Sequence, residues 1–363
     1  MKIREVKTYR LDAALTEPFA YSQAWYERRG TMLVEIVGED GLSGWGEAFG
    51  PASLTAPIVD FYKPLLLGAD TFAIELHWQS LYNRLRDHGQ KGLAIEALSA
   101  VDIALWDLKG RHLGLPVHRL VGGPLRTRVQ AYATGFYRKR DGDPVAYLCD
   151  EARQRADEGF AAIKLKLGFG IDEDVRLCCS IRRAIGDAMT IMVDANHAYD
   201  ATAAIRLGRQ IAEFDIAWFE EHVPPEDLEG YKQVKSALRI PIAGGEAEFT
   251  RWGFRSLLAE RAVDILQPDV CAAERDLRVQ KDRGYGERLW GSRQPACVGY
   301  RCRLGSVLAA DRSAPRQSAR PQCDPAAARA RPIRAPDPNG GIDRTHTASG
   351  GLGRDADRRR SRH

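Results

Sequence analysis

The 363-residue chain contains no apolar run approaching the roughly 18 residues that a membrane-spanning helix needs, so no membrane association is expected. No Cys-x-x-Cys pair occurs. The cysteines number seven, an odd count that includes the adjacent Cys178 and Cys179, which argues against a disulfide framework or a structural zinc site and leaves free thiols as the expectation. Behind Met1-Lys2-Ile3-Arg4-Glu5 there is no apolar stretch of the kind an export signal requires, so a cytoplasmic location is expected. No Gly-x-Gly-x-x-Gly follows an apolar run, which removes the usual sign of a dinucleotide-binding sheet. Lysine is nearly missing from the last part of the chain. Between Cys271 and His363 there are 19 arginines and the single Lys281, giving that segment a net charge of +10, whereas residues 1–270 carry −6. Any nucleic-acid reading therefore hangs on the tail alone.

What is present divides in two. With 44% hydrophobic residues over this length, the chain can bury a large core and hold two domains. Residues 3–10 and 31–38 alternate or run apolar with β-branched residues, and Gly41 and Gly44 punctuate before Trp45-Gly46-Glu47-Ala48, which predicts an antiparallel meander. Helical periodicity follows from about 55 to 112 and is closed by Gly114 and Pro116. Strands first and helices after predict a small α+β domain over residues 1–122.

From residue 123 to 273 short apolar runs alternate with amphipathic helices. The runs are Val129–Ala133, Ala162–Leu167, Thr190–Asp194, Ile216–Glu220, Ile240–Glu246 and Val263–Asp269. Their polar ends recur at steps of 28, 26, 26 and 23 residues through Lys166, Asp194, Glu220, Glu246 and Asp269. One strand, one helix and two loops use that much chain, so the pattern predicts an α/β protein with a (β/α) barrel behind a capping domain.

In such a barrel the C-terminal strand ends meet on one face, which would crowd these five side chains into one mouth. Asp194, Glu220 and Glu246 would repel one another unless a cation sat between them. An all-oxygen ligand set favours a hard ion, Mg²⁺, with Mn²⁺ as a substitute. The plainer alternative is that each acidic residue caps the helix that follows it. Lys164 and Lys166 lie two apart in Ile163-Lys164-Leu165-Lys166 and so point to the same face. Like charge and desolvation are expected to lower their pKa, as a general base near neutrality requires.

Lys164-Leu165-Lys166, Val193-Asp194-Ala195-Asn196-His197, Trp218-Phe219-Glu220-Glu221, Ala243-Gly244-Gly245-Glu246 and Ile265-Leu266-Gln267-Pro268-Asp269 form an ordered set. So do Gly44-Trp45-Gly46-Glu47 and Ala104-Leu105-Trp106-Asp107-Leu108-Lys109-Gly110 nearer the N-terminus. Together they resemble the mandelate racemase and muconate lactonizing enzyme family of the enolase superfamily. Within it, Leu81–Gln90, Ala131–Gly135 and Glu17–Arg29 resemble the branch that opens sugar-acid lactones. The resemblance implies removal of the proton beside a sugar-acid carboxylate, with Lys166 as base, Lys164 stabilising the enediolate and Asp269 paired with a histidine from strand seven. A sugar-acid dehydratase or racemase of the same family is the alternative. Asn196 would position the substrate, while His197 packs or caps. The small domain's loops, carrying Glu17–Arg29 and Phe49-Gly50, would cover the mouth, where Arg28 and Arg29 either pair a distal carboxylate or stay solvated. A homo-oligomer is expected if the barrel is intact.

The pattern fails after Ala273. Residues 274–363 turn to Arg, Ala, Pro and Gly, hydrophobic periodicity vanishes, and Arg288 stands where the strand-seven His of a His-x-Trp-Gly pattern would. Arg without Lys is what a GC-rich gene yields when read out of frame, and the barrel is then incomplete after strand six. The rival account is a basic arm that binds nucleic acid. A truncated, non-catalytic product is a reading of a different class.

Overall fold

The computed structural model describes residues 1–123, 128–273 and 307–308, all within one compact unit spanning Met1–Cys323. The N-terminal lobe opens with β1 (Ile3–Tyr21) and β2 (Ala24–Gly38), an antiparallel hairpin, followed by β3 (Ser43–Ala48). Helices α1 (Ala52–Leu66), α2 (Ile74–Leu85), α3 (Leu93–Leu113) and α4 (Val117–Leu120) complete it. Met32, Val34 and Ile36 of β2 are fully buried against the helices with Ala56, Val59, Leu98 and Leu105. Each such side chain contributes about 1.5–3 kcal/mol by leaving water.

The hairpin corrects the expectation that Glu17–Arg29 is loop. Its strands continue through that stretch, pairing Phe19 with Tyr26, Ala20 with Trp25 and Tyr21 with Ala24, and turn on Ser22-Gln23 alone. The alternation that marks a strand is lost between Tyr9 and Glu17 because most of this span is exposed on both faces, so no apolar stripe betrays it. Aromatic cross-strand pairs re-establish the ladder at the tip.

The second part begins with β4 (Gln130–Ala131), β5 (Ala133–Thr134) and β6 (Arg138–Lys139), then α5 (Pro144–Asp157), β7 (Ala162–Lys166), α6 (Ile171–Ile185), β8 (Thr190–Asp194), α7 (Ala201–Ile211), β9 (Ile216–Glu220), α8 (Leu228–Ala237), β10 (Ile242–Gly244), α9 (Thr250–Ala259), β11 (Ile265–Leu266) and α10 (Val270–Ala273). Six strands form a parallel sheet in the order β11-β10-β9-β8-β7-β5. β6 instead joins the edge of the N-terminal sheet beside β1. The remaining strand, β12 (Val307–Leu308), pairs antiparallel with β4. Whether the barrel is complete, and what residues 274–363 otherwise are, falls outside the described residues.

Local chemistry explains the helix starts. Asp143, Asp200 and Asp227 accept from Val145 N, Ala203 N and Gly230 N at the first turns of α5, α7 and α8, and Pro144 opens α5 where its missing N–H costs nothing. Among the described residues no helix is long and apolar enough to cross a membrane. Cys149, Cys178 and Cys271 are free thiols, as expected, but Cys179 is disulfide-bonded, since an odd cysteine count does not prevent one pair from forming.

Gly44 and Gly46 show why the Gly-Trp-Gly-Glu motif is built as it is. A Cβ on Gly46 would stand 2.0 Å from Ala100 O, and one on Gly44 would stand 2.1 Å from Ala104 O. β3 therefore lies flush on α3, backbone to backbone. Gly46→Ala should destabilise the chain by ~2 kcal/mol through overpacking. Gly30→Ala, where the nearest atom is 3.4 Å away, should cost far less, and equal urea midpoints for the two variants would contradict the close approach.

Candidate active site

The strand register decides which side chains meet. Lys166 is paired across the sheet with Asp194, and Asp194 with Glu220, so three strand ends stop level. Lys164, one pleat below Lys166 on the same face, donates to both carboxylate oxygens of Glu220 at 2.9 and 2.8 Å and stands 3.4 Å from Asp194 Oδ2. Lys166 Nζ donates to Asp194 Oδ2 at 2.6 Å. Asp194 and Glu220 are fully buried, and the lysines are 6% and 4% exposed. Below them lies a small apolar layer of Tyr132, Met192, Trp218 and Ala243. The Trp218 indole donates to Glu220 Oε2 at 3.2 Å, and Lys164 Nζ sits 5.9 Å from the Tyr132 ring centre.

This geometry corrects the expected lysine titration. Burial acts to lower both pKa values, but for Lys164 the charges of Glu220 and Asp194, and for Lys166 the charge of Asp194, outweigh it and hold both above the ordinary value. Burial would raise Asp194, yet Lys166 and Lys164 hold it below the usual carboxylate range. For Glu220 burial prevails, with Asp194 and Glu246 pushing the same way against Lys164. Glu221 is pushed well up by burial and then by Glu246, Asp194 and Glu220. The carboxylates in mutual reach thus outnumber the ammonium groups four to two.

Asp194 and Glu220 are not helix caps, because Asp200 and Asp227 cap α7 and α8. Asp194 Oδ1 instead accepts from Asn196 N at 2.9 Å. Asn196, His197 and Glu221 adopt positive φ of 45°, 66° and 44°, a conformation that costs non-glycine residues about 1–3 kcal/mol each and clusters at functional sites. His197 Nε2 stands 3.2 Å from Glu221 Oε2, at ion-pair range though outside hydrogen-bond alignment. The Asn196 side-chain oxygen is buried without a partner. His222 packs between the Phe219 and Tyr231 rings, where burial keeps it neutral with a pKa near about 3, so it is core rather than base. Glu246 is half-buried at the next strand exit, close enough to act on Glu220 and Lys164 but not bonded to them. Among the described residues no three acidic, histidine or cysteine side chains stand at metal-ligand spacing.

The hairpin tip closes over this group. Ser22 Oγ donates to Ala195 O at 2.8 Å and Gln23 Nε2 to Asn196 O at 3.1 Å. A Cβ on Gly168, just past Lys166, would collide with Ser22 Cβ at 2.6 Å. Tyr21 feels the charges of Glu246 and Lys166, so its phenol faces the site. Tyr21, Ser22 and Gln23 escaped the sequence reading because a tip recognised only as loop carries no facing. Trp218 had a usable signal, since it lies two residues before Glu220 and shares its face.

The other nominated residues lie further out. Arg28 is tied to Asp12 at 2.7 Å on the exposed hairpin arm, and the Arg29 guanidinium stacks over Phe19 and Tyr26 at 5.0 and 5.2 Å, so neither is gathered with the lysines and carboxylates. The Phe49 side chain is exposed while its backbone N donates to Cys271 O. Asp269 is buried at the end of the β11 segment, where Oδ1 accepts from Cys271 N at 2.8 Å at the start of α10.

Residues 3–122 match the N-terminal domain of the mandelate racemase and muconate lactonizing enzymes, and residues 147–274 match the enolase C-terminal domain-like family. The chain is 46% identical over 281 residues to a D-galactarolactone cycloisomerase of Agrobacterium fabrum, covering 77% of this chain and 74% of that protein. It belongs to the mandelate racemase and muconate lactonizing enzyme family. An arabinonate dehydratase of Saccharolobus solfataricus is 38% identical over 66% of this chain and 65% of its own length. A racemase from Streptomyces coelicolor, solved with bound magnesium, superposes with a TM-score of 0.75 at 33% identity, over 81% of this chain and 82% of that one.

For this member of the family the buried ion pairs make a testable demand on stability. Lys164→Met leaves Glu220 charged and buried without its two ammonium bonds and should cost ~3 kcal/mol in urea denaturation without added metal. The double variant Lys164→Met/Glu220→Met should recover most of that loss. A single variant as stable as the parent would mean that the pair is not formed.

Proposed function

We propose that this chain removes the proton beside a sugar-acid carboxylate and opens an aldarolactone of the D-galactarolactone kind. The observation that carries the reading is the level arrangement of Lys164, Lys166, Asp194 and Glu220 at consecutive parallel strand ends, buried under the hairpin tip. The lactone cycloisomerase relative supports the substrate class.

The donor chemistry fits a hard divalent cation, although Lys164 here bridges Glu220 and Asp194 and no three of the carboxyl groups stand at ligand spacing among the described residues. The donor set is all carboxylate, and with Glu221 held protonated by its surroundings, Asp194, Glu220 and Glu246 still outnumber Lys164 and Lys166, which leaves a negative charge that an ion would balance. Asp194, Glu220 and Glu246 are the residues that would hold Mg²⁺. When bound, it supplies positive charge where the enediolate develops.

The chain's own residues carry the rest. Lys166 takes the α-proton in its neutral form, which it reaches only when Asp194, whose charge holds it protonated in the ion pair, is committed elsewhere, as it would be in holding a cation. The C–H electron pair forms the enediolate double bond. Lys164 keeps its proton and stabilises the new negative charge electrostatically, in a site where burial strengthens every such contact. Collapse of the enediolate breaks the β C–O bond and expels the lactone oxygen as a carboxylate, with no proton needed by the leaving group. The enol then ketonises to a 3-deoxy-2-keto-hexarate. Asn196 and Tyr21 orient the substrate hydroxyls, and the pinned hairpin tip excludes water. Asp269 would orient a second base from strand seven, but the sequence has Arg288 where that histidine would stand, a position outside the described residues.

The dehydratase relative keeps a second reading in view, in which a β-hydroxyl leaves as water. Incubation with galactarolactone and with free galactarate separates the two, because only dehydration proceeds on the open acid.

Glu220→Gln should abolish measurable Mg²⁺ binding in titration calorimetry, since the amide keeps the shape but loses the charge. Unchanged binding heat would show the ligand to be misassigned. Lys166→Ala should erase Mg²⁺-dependent exchange of the substrate α-proton with D₂O, whereas Lys164→Ala should only weaken it. Exchange that survives in Lys166→Ala would place the base elsewhere.

A further inference from the structure

Lys166 is the last residue of β7, and the segment that follows it is held by side chains with no part in the chemistry above. Leu167 N still donates to Asp194 O at 2.8 Å, and the chain then crosses Gly168, Phe169 and Gly170 to reach α6. Asp174, in the first turn of α6, turns back toward this crossing and is 1% exposed. Its Oδ2 accepts from Gly168 N at 2.8 Å and its Oδ1 from Phe169 N at 3.3 Å. Tyr199, in the loop between β8 and α7, donates its hydroxyl to Asp174 Oδ2 and accepts from Gly170 N at 3.3 Å. Three successive amides are thus tied to one carboxylate and one phenol. The Tyr199 main chain is itself fixed, since its N donates to His222 O, just past β9, at 3.2 Å. Gly168 has no room for a side chain, because a Cβ there would stand 2.6 Å from Ser22 Cβ of the hairpin tip and 2.9 Å from Ala195 O.

We propose that Asp174 and Tyr199 are positioning residues for Lys166: through the amides of Gly168, Phe169 and Gly170 they fix the crossing, and with it the strand end that aims the base. The inference rests on the function proposed above. Lys166 Nζ is bonded to Asp194 Oδ2, and acting as base requires giving up that bond. Its aim then depends on where the main chain carries it. A lysine stem is flexible, so a tilt of the strand end is passed to Nζ, and misplacement by about 1 Å can cost about a hundredfold in rate. Gly168 and Gly170, at φ of 97° and 120°, supply no stiffness of their own, so order in the crossing is imposed by what it is bonded to. A buried carboxylate suits that task, because hydrogen bonds to a charged acceptor are about twice as strong as neutral ones. Burial pushes Asp174 up to about 6 against the pull of Tyr199, Gly168 and Phe169, so near neutrality it is ionised and accepts on both oxygens.

The full-length chain tests this with Tyr199→Phe, which removes the phenol oxygen alone, and Asp174→Asn, which keeps the shape but only one acceptor oxygen. Residue-resolved amide hydrogen exchange in Tyr199→Phe should run ~tenfold faster than in the parent at residues 167–170 and stay unchanged at residues 163–165. With D-galactarolactone and Mg²⁺, Tyr199→Phe should lower kcat ~tenfold at unchanged KM, and Asp174→Asn should lower it at least as far. Gly46→Ala, which weakens folding away from the crossing, should keep the parental kcat. Parental amide protection at residues 168–170 in Tyr199→Phe overturns the clamp. Parental kcat in Tyr199→Phe, or an equal loss in Gly46→Ala, overturns the positioning role, and Tyr199→Phe decides alone if Asp174→Asn does not fold. A parent that fails to open the lactone sinks the functional reading on its own, and the amide exchange still decides whether the pair holds the crossing.

Discussion

The rest of the structure depends on a level finish: β7, β8 and β9 end in step, which brings Lys164 and Lys166 of β7 against Asp194 and Glu220 at the ends of β8 and β9. Taking a lysine or a carboxylate out of water costs several kcal/mol, and only close pairing with further hydrogen bonds offsets it. Lys164 with Glu220 and Lys166 with Asp194 meet that condition at 2.6 to 2.9 Å. A one-residue slip of any of the three strands would turn its charged residue outward and strand its partner in the interior. The ion pairs thus fix register as firmly as the apolar core does. The same requirement explains why Asp200 and Asp227, farther along the chain, cap the helices: the strand-end acids are already committed.

The N-terminal lobe meets this arrangement through contacts to the main chain. Ser22 and Gln23 reach carbonyl oxygens at the β8 exit, and Phe49 N reaches Cys271 O beside Asp269. Hydrogen bonds to main-chain atoms hold position without depending on which side chains line the mouth. The aromatic residues of the tip, Phe19, Tyr21, Tyr26 and the neighbouring Tyr137, then form a wall whose members pack on one another.

Much of this was legible in the sequence because strand-end spacing and two-residue alternation are local signals. The steps between Lys166, Asp194, Glu220 and Glu246 locate the parallel strands, and Lys164 and Lys166 announce a shared face. What stayed hidden depends on partners distant in sequence. The lysines were expected to titrate low because their neighbours in sequence are basic or apolar, whereas Glu220, 56 residues away, and Asp194, 28 residues away, decide the sign. Arg28 and Arg29 were expected either to pair a distal carboxylate or to stay solvated, and cross-strand pairing commits one to Asp12 and the other to a ring stack.

The exposed middle of the hairpin, from Tyr9 to Glu17, carries one more consequence. The arm is rooted in the lobe's core at one end and tied to the β8 exit at the other, with a long span between that few buried side chains support. It behaves as a bridge whose two piers are load-tested separately. Mutations along the span meet little resistance from folding, and they fall between the lobe's core and the tip's aromatic wall. Drift in that span can retune which molecules enter while leaving the buried charge lattice untouched, so selection for new substrates has a stretch of chain on which to act cheaply.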